Sequence, residues 1–304
     1  MIIAVFPGQG SQTPGFLTPW LEIPGARETL EVYSDAAGVD LVAAGTEWDA
    51  DRIRDTKVAQ PLIVAAGLLA WGELGRPRQV AGVAGHSVGE FTAAAAAAIL
   101  PDAEVLRLVG VRGQAMADAA AHADTGMSAV IGGDETAVLE GLSALGLTPA
   151  NHNGAGQIVA AGARADLDRL AAEPVPGTRV IPLQVAGAFH TDYMAPAVAT
   201  LRDAAARTVG GDPLRTIWTN RDGSAVQTGR AFIDLLVEQV ASPVRWDLCM
   251  ASFAAAGVTG IVELTPAGTL TGLAKRALRG VPTVAVKTPD DLAAAVELWE
   301  GSAA

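Results

Sequence analysis

The chain has one cysteine, Cys249, in 304 residues, so no disulfide can close within it, and a thiol without a companion is poor material for a metal site. A buried, inert thiol in a reducing compartment is the expectation. Basic residues are also few. The 21 lysines and arginines stand against 33 acidic residues, and a net charge of -12 excludes a general positive field for nucleic acid or anionic lipid. Long apolar runs are missing too: the longest, residues 91–100, is about half of what a bilayer crossing needs and lies between Glu90 and Asp102. It reads as a buried helix. The start, Met1-Ile2-Ile3-Ala4-Val5-Phe6-Pro7-Gly8, lacks the basic stretch that opens a secretion signal, so a cytoplasmic protein is expected. No repeat or low-complexity segment occurs apart from alanine-rich helices, and residues 301–304 read as a loose tail.

What is present is a large apolar fraction, half of all residues, enough for one big core with a smaller appended unit. Apolar, β-branched stretches at residues 2–6 and 80–84 alternate with helical patterns at 61–74 and 88–100. Two more buried strands, 257–264 and 281–286, flank a helix at 270–278. Such alternation predicts a parallel sheet covered by helices, an α/β fold. Between these parts the rhythm changes. Strand 127–132, helix 135–145, a strand pair 147–151 and 157–161 around an Asn153-Gly154 turn, helix 165–172 and strand 179–185 give the order βαββαβ. That is the ferredoxin-like pattern. A small domain is therefore placed at 126–188, inserted into a large catalytic domain made of 1–125 and 189–304.

Gly85-His86-Ser87-Val88-Gly89 fits G-x-S-x-G between a predicted strand and a predicted helix. Small flanking residues allow a sharp turn that projects the serine Oγ beside a helix N-terminus, where a developing anion is favoured. The same residues also suit a plain helix cap, since Glu90 follows Ser87 by three positions as in a capping box. A catalytic Ser87 needs a base, and the chain has only four histidines. His86 adjoins the serine and suits a structural role; His122 lies on an alanine-rich helix face; His152 lies between two asparagines and could touch substrate. His190 ends Val185-Ala186-Gly187-Ala188-Phe189-His190, where the small domain returns to the large one. Position alone does not choose among them.

Several segments, taken in order, carry a resemblance. They are Phe6-Pro7-Gly8-Gln9-Gly10-Ser11-Gln12, Ala59-Gln60-Pro61, Gly85-His86-Ser87-Val88-Gly89-Glu90, Val111-Arg112-Gly113-Gln114-Ala115-Met116, Asn151-His152-Asn153, Gly187-Ala188-Phe189-His190, and Gln239 with Pro243-Val244. Over essentially its whole length the chain resembles malonyl-CoA:acyl carrier protein transacylases. The resemblance implies an α/β-hydrolase-like core with a ferredoxin-like subdomain, Ser87 as nucleophile and His190 as base. It implies an oxyanion hole from the backbone N–H groups of Gln9 and Val88, and a backbone carbonyl at Gln239 that orients the histidine without a triad acid. Asp192 then reads as a solvated helix-start residue.

The resemblance also implies that Arg112 pairs with the free carboxylate of malonate, and that Phe189 crowds a C2 methyl. Asn153 and Asn220 would lie near the acyl chain. A buried Arg112 left unpaired by an acetyl group would cost a few kcal/mol, roughly a hundredfold in specificity. The implied partners are malonyl-CoA and, transiently, an acyl carrier protein, with no metal or redox cofactor and no membrane or nucleic acid. Carrier proteins are generally acidic, so docking needs a local basic patch: Lys275, Arg276 and Arg279, or Arg76 and Arg78. A monomer is the default expectation, and the choice between fatty-acid and polyketide synthesis stays open.

Overall fold

The computed structural model describes residues 1–301 of the chain. Ten strands follow one another as β1 (Ile2–Phe6), β2 (Gly82–Gly85), β3 (Thr125–Gly132), β4 (Thr148–Gly154), β5 (Gln157–Ala163), β6 (Thr178–Pro182), β7 (Thr216–Trp218), β8 (Val244–Arg245), β9 (Gly260–Glu263) and β10 (Thr283–Ala285). They form two sheets in a mixed α/β architecture.

The first sheet has the order β10-β9-β1-β2-β7 and every pairing in it is parallel. Parallel strands are buried on both faces, which is why β1 reads as an unbroken apolar run and is buried at all five positions. Helices Thr56–Glu73 and Asp102–Ala120 pack against each other above it. The first is apolar nearly all round and buried from Val58 to Trp71. The run at residues 91–100 is a buried helix, Gly89–Ala96, followed by a turn. No helix among the described residues is long and apolar enough to cross a membrane.

The second sheet has the order β6-β3-β5-β4-β8. Its first four strands are antiparallel neighbours and, with helices Glu135–Ala144 and Arg164–Ala172, realise the predicted βαββαβ sequence. A separate small core of Val130, Val138, Leu142, Leu147, Ile158, Leu167 and Leu170 holds this unit together.

Several details depart from the sequence expectations. The hairpin turn is at Ala155-Gly156 and not at Asn153-Gly154, because β4 continues to Gly154, which pairs with Gln157. The sheet begins at Thr125 and recruits β8 from the C-terminal half, which pairs in parallel with Asn151 and His152 and so ties the small unit to the large one. Strand β7 went unread because three residues are too few to show a period. Of the expected loose tail only Gly301 is described; residues 302–304 lie outside.

Candidate active site

Ser87 occupies the turn between β2 and helix Gly89–Ala96, with φ of 51°. The turn is as tight as glycine permits: a Cβ on Gly85 would lie 1.9 Å from the Gly89 carbonyl carbon, and one on Gly89 would lie 2.2 Å from the Phe6 oxygen. The helix is capped at Val88 with no side-chain hydrogen bond, so Ser87 is not a helix cap. Nor does Glu90 complete a capping box, because its carboxylate accepts from the Asn220 backbone N–H at 2.7 Å instead.

Asn220 follows β7, the neighbour of β2, and its side-chain amide continues the sheet where the backbones part. Its Oδ1 accepts from the Ser87 N–H at 2.7 Å and its Nδ2 donates to the Gly85 carbonyl at 2.7 Å. The resemblance puts Asn220 beside the acyl chain. The structure puts it, fully buried, behind the serine, with both amide ends spent on the turn. It holds the Ser87 turn in place.

The structure brings one of the four histidines to Ser87. His190 Nε2 lies 2.7 Å from Oγ, and Nδ1 lies 2.9 Å from the Gln239 carbonyl oxygen. A carbonyl can only accept, so Nδ1 carries the hydrogen and Nε2 presents a lone pair to the serine hydroxyl. Burial, and then the nearby Arg112 charge, lower the His190 pKa to about 3, which holds the ring neutral with the Nε2 lone pair free. Among the described residues no carboxylate completes a triad, and Asp192 is exposed at the start of a short helical turn.

Strands β1 and β2 pair from Ile3 with Gly82 to Phe6 with Gly85, so the loops that leave them run side by side. Gly8 abuts His86, and the Gln9 side chain is tied back to the Arg54 carbonyl at 3.3 Å. Among the described residues no carbonyl or side chain accepts from the backbone N–H of Gln9 or Val88. Free backbone amides of this kind can serve an oxyanion.

Arg112 lies on the inner face of helix Asp102–Ala120 and is 1% exposed. Its guanidinium donates to Gln60 Oε1 at 2.6 Å and to Gln239 Oε1 at 2.8 Å, while Nε has no partner. Burial lowers its pKa to about 10, with the Glu90 charge acting in the opposite direction, so it remains a cation in neutral solution. A buried cation held by neutral amides has capacity for an anion.

The chain matches the acyl transferase domain family over residues 3–290. It belongs to that family. It is 53% identical over 296 residues to the malonyl CoA-acyl carrier protein transacylase of Mycobacterium tuberculosis H37Rv, across 96% of this chain and 98% of the relative. With the enzyme of the same name from Escherichia coli K12 it shares 33% identity over 304 residues, across 97% and 98%. The crystal structure of the Mycobacterium tuberculosis protein superposes with a TM-score of 0.93 at 52% identity, covering 96% and 98%. A malonyl-transacylase solved in complex with a type II polyketide acyl-carrier protein superposes at 0.91 with 30% identity, covering 98% and 99%.

In this acyl transferase the remaining predicted residues fall into place as follows. Phe189 packs into the main core. Asn153 Oδ1 accepts from His86 Nε2 at 2.9 Å, a clasp between the small unit and the nucleophile turn. His152 borders a separate cavity of about 40 Å³ that Glu135 lines from the small unit and Asp247 from the helix Trp246–Ala255. His122 is exposed just past its helix. Cys249 is fully buried, its thiol pKa raised by burial and then by the Glu90 charge.

Gln60, Glu90 and the Gln239 side chain went unassigned from the sequence. Gln60 carried a usable signal, as the one side-chain amide in the apolar stretch 58–71, where a buried polar group must find a partner. Glu90 carried none, because a helix-start glutamate ordinarily faces solvent.

Proposed function

We propose that the chain transfers malonyl from malonyl-CoA to the phosphopantetheine thiol of an acyl carrier protein through a malonyl ester on Ser87. The carrying observation is the buried Arg112 guanidinium, held by amides alone in the same network as the dyad. Ser87 Oγ attacks the thioester as His190 Nε2 takes its proton. The tetrahedral oxyanion rests on the Gln9 and Val88 amides, and its collapse returns the proton from His190 to the departing CoA sulfur. In the second half the carrier thiol gives its proton to His190 and attacks the ester; collapse reprotonates Ser87. The reaction so written uses no metal or redox group.

Gln239 fixes the imidazole through a neutral carbonyl, which keeps a second negative charge away from the malonyl carboxylate. Phe189, directly before the base, restricts branching at C2, and Asn153 borders the acyl site through His86. The strand orders support an α/β-hydrolase-like large domain, 1–125 and 189–304, with a ferredoxin-like subdomain at 126–188. For the carrier, Lys275, Arg276 and Arg279 are the better docking candidates. All three are exposed, on and just after a helix that packs against β4, whereas Arg76 is held by Asp102 and leaves only Arg78 free on its segment. The malonyl-transacylase seen with its carrier supports such an encounter. We place the reaction in the cytoplasm.

Intact-protein mass spectrometry after mixing with malonyl-CoA tests the proposal. A malonyl adduct forms on the wild type and is absent from Ser87→Ala; a wild type that stays unmodified overturns it.

A further inference from the structure

Glu90 is a buried carboxyl group that the reaction above does not use. It is 1% exposed, as is Arg112. Among the described residues Arg112 forms no ion pair, and the two groups meet through a single amide. Arg112 donates to Gln239 Oε1 at 2.8 Å, and Gln239 Nε2 donates to Glu90 Oε2 and to the Ser87 carbonyl at 3.0 Å. From other elements Glu90 faces the Asn220 backbone N–H at 2.7 Å, the Thr219 hydroxyl and the Cys249 thiol. His190 is bound to the Gln239 carbonyl at 2.9 Å, across the residue from Glu90, and is neutral. Where the pH is high enough to ionise Glu90, Arg112 is the cation that balances it.

We propose that Glu90 is the exchangeable counter-ion of Arg112: when an acyl carboxylate pairs with Arg112, Glu90 takes one proton from solvent, and it releases that proton when the acyl group leaves. A water-poor pocket with one cation tolerates one anion, and a second raises the energy of both. The proton goes to a Glu90 oxygen, and the Thr219 hydroxyl can accept the new O–H. Where Glu90 is ionised in the empty enzyme, buried charge stays balanced before and after malonyl loading, and an acyl group without a carboxylate leaves Glu90 as it was. Glu90 is therefore a positioning residue that acts on substrate choice through Gln239 and Arg112. This inference rests on the reading that malonyl is held at Arg112.

In the empty enzyme burial pushes Glu90 up to about 8, so the exchange is visible above that pH and fades below it. Titration calorimetry of Ser87→Ala with malonyl-CoA, in buffers of different ionisation enthalpy, reads protons taken up per ligand bound without chemistry or thiol release. At about pH 9 the expected uptake approaches one proton for malonyl-CoA and none for acetyl-CoA. At about pH 6 it is near zero for both. Ser87→Ala with Glu90→Gln shows none at either pH.

Binding of malonyl-CoA at the higher pH without proton exchange overturns the proposal, as does equal uptake in the double variant. The acetyl-CoA arm needs no change at Glu90 and stands even if that variant folds poorly. Failure of the transacylase reading shows separately, as absence of a malonyl adduct on the wild type.

Discussion

Arg112 Nη2 donates to Gln239 Oε1 at 2.8 Å, while the backbone carbonyl of the same Gln239 holds His190 Nδ1 at 2.9 Å. One residue therefore joins the carboxylate receptor to the general base. Its side-chain nitrogen also reaches the Ser87 carbonyl at 3.0 Å, so acyl recognition and nucleophile alignment share a single support. The two halves of Gln239 can be separated by mutation, because truncation removes the amide and leaves the carbonyl.

Gln239→Ala should keep the His190 contact and lose the Arg112 contact. Leaving a buried guanidinium short of an acceptor costs about 1–3 kcal/mol. The expected result is a KM for malonyl-CoA raised about tenfold or more, with kcat reduced less. Steady-state kinetics decide, and a collapse of kcat at unchanged KM would assign the side chain to alignment of Ser87 instead.

Arg112→Lys tests geometry and Arg112→Ala tests charge. A lysine cannot serve two amides and a planar carboxylate together, so malonyl kcat/KM should fall roughly a hundredfold. In Arg112→Ala malonyl transfer should be lost while acetyl transfer holds or rises. The ratio of kcat/KM for malonyl-CoA and acetyl-CoA is the measurement, and equal loss of both would remove Arg112 as the selector.

The pH behaviour follows from two opposed shifts. His190 is lowered to about 3 from its ordinary 6.5, so between those values the unfolded chain binds a proton that the native state refuses. Stability on this account falls as pH drops through that window. Glu90 is raised from 4.5 to about 8, so in that range the native state keeps a proton that the unfolded chain has released, and stability falls as pH rises. Glu90→Gln should therefore flatten the decline of Tm between mildly acidic and mildly basic pH. Thermal unfolding across pH, wild type against variant, shows it.

Asn220→Ala removes the bridge between the Ser87 N–H and the Gly85 carbonyl and leaves both buried groups without a partner. The cost is about 1–3 kcal/mol for each group left unsatisfied, seen as a lower Tm. Because the nucleophile shifts and Arg112 does not, kcat should fall with little change in KM. An unchanged kcat would show that the glycines alone hold the turn.

The sequence by itself determined the two sheets, the inserted βαββαβ unit, the turn that carries Ser87 and the candidate base. Each of these depends on local periodicity, on glycines that permit a turn, or on ordered motifs. It did not contain the turn position at Ala155-Gly156, the recruitment of β8, or the exclusion of a helix cap at Ser87, since these depend on which backbone lies alongside. The Glu90–Gln239–Arg112 chain is of the same kind. Its residues lie 22 and 127 positions from Arg112, and only the burial of all three side chains turns an ordinary glutamate, glutamine and arginine into one coupled electrostatic unit.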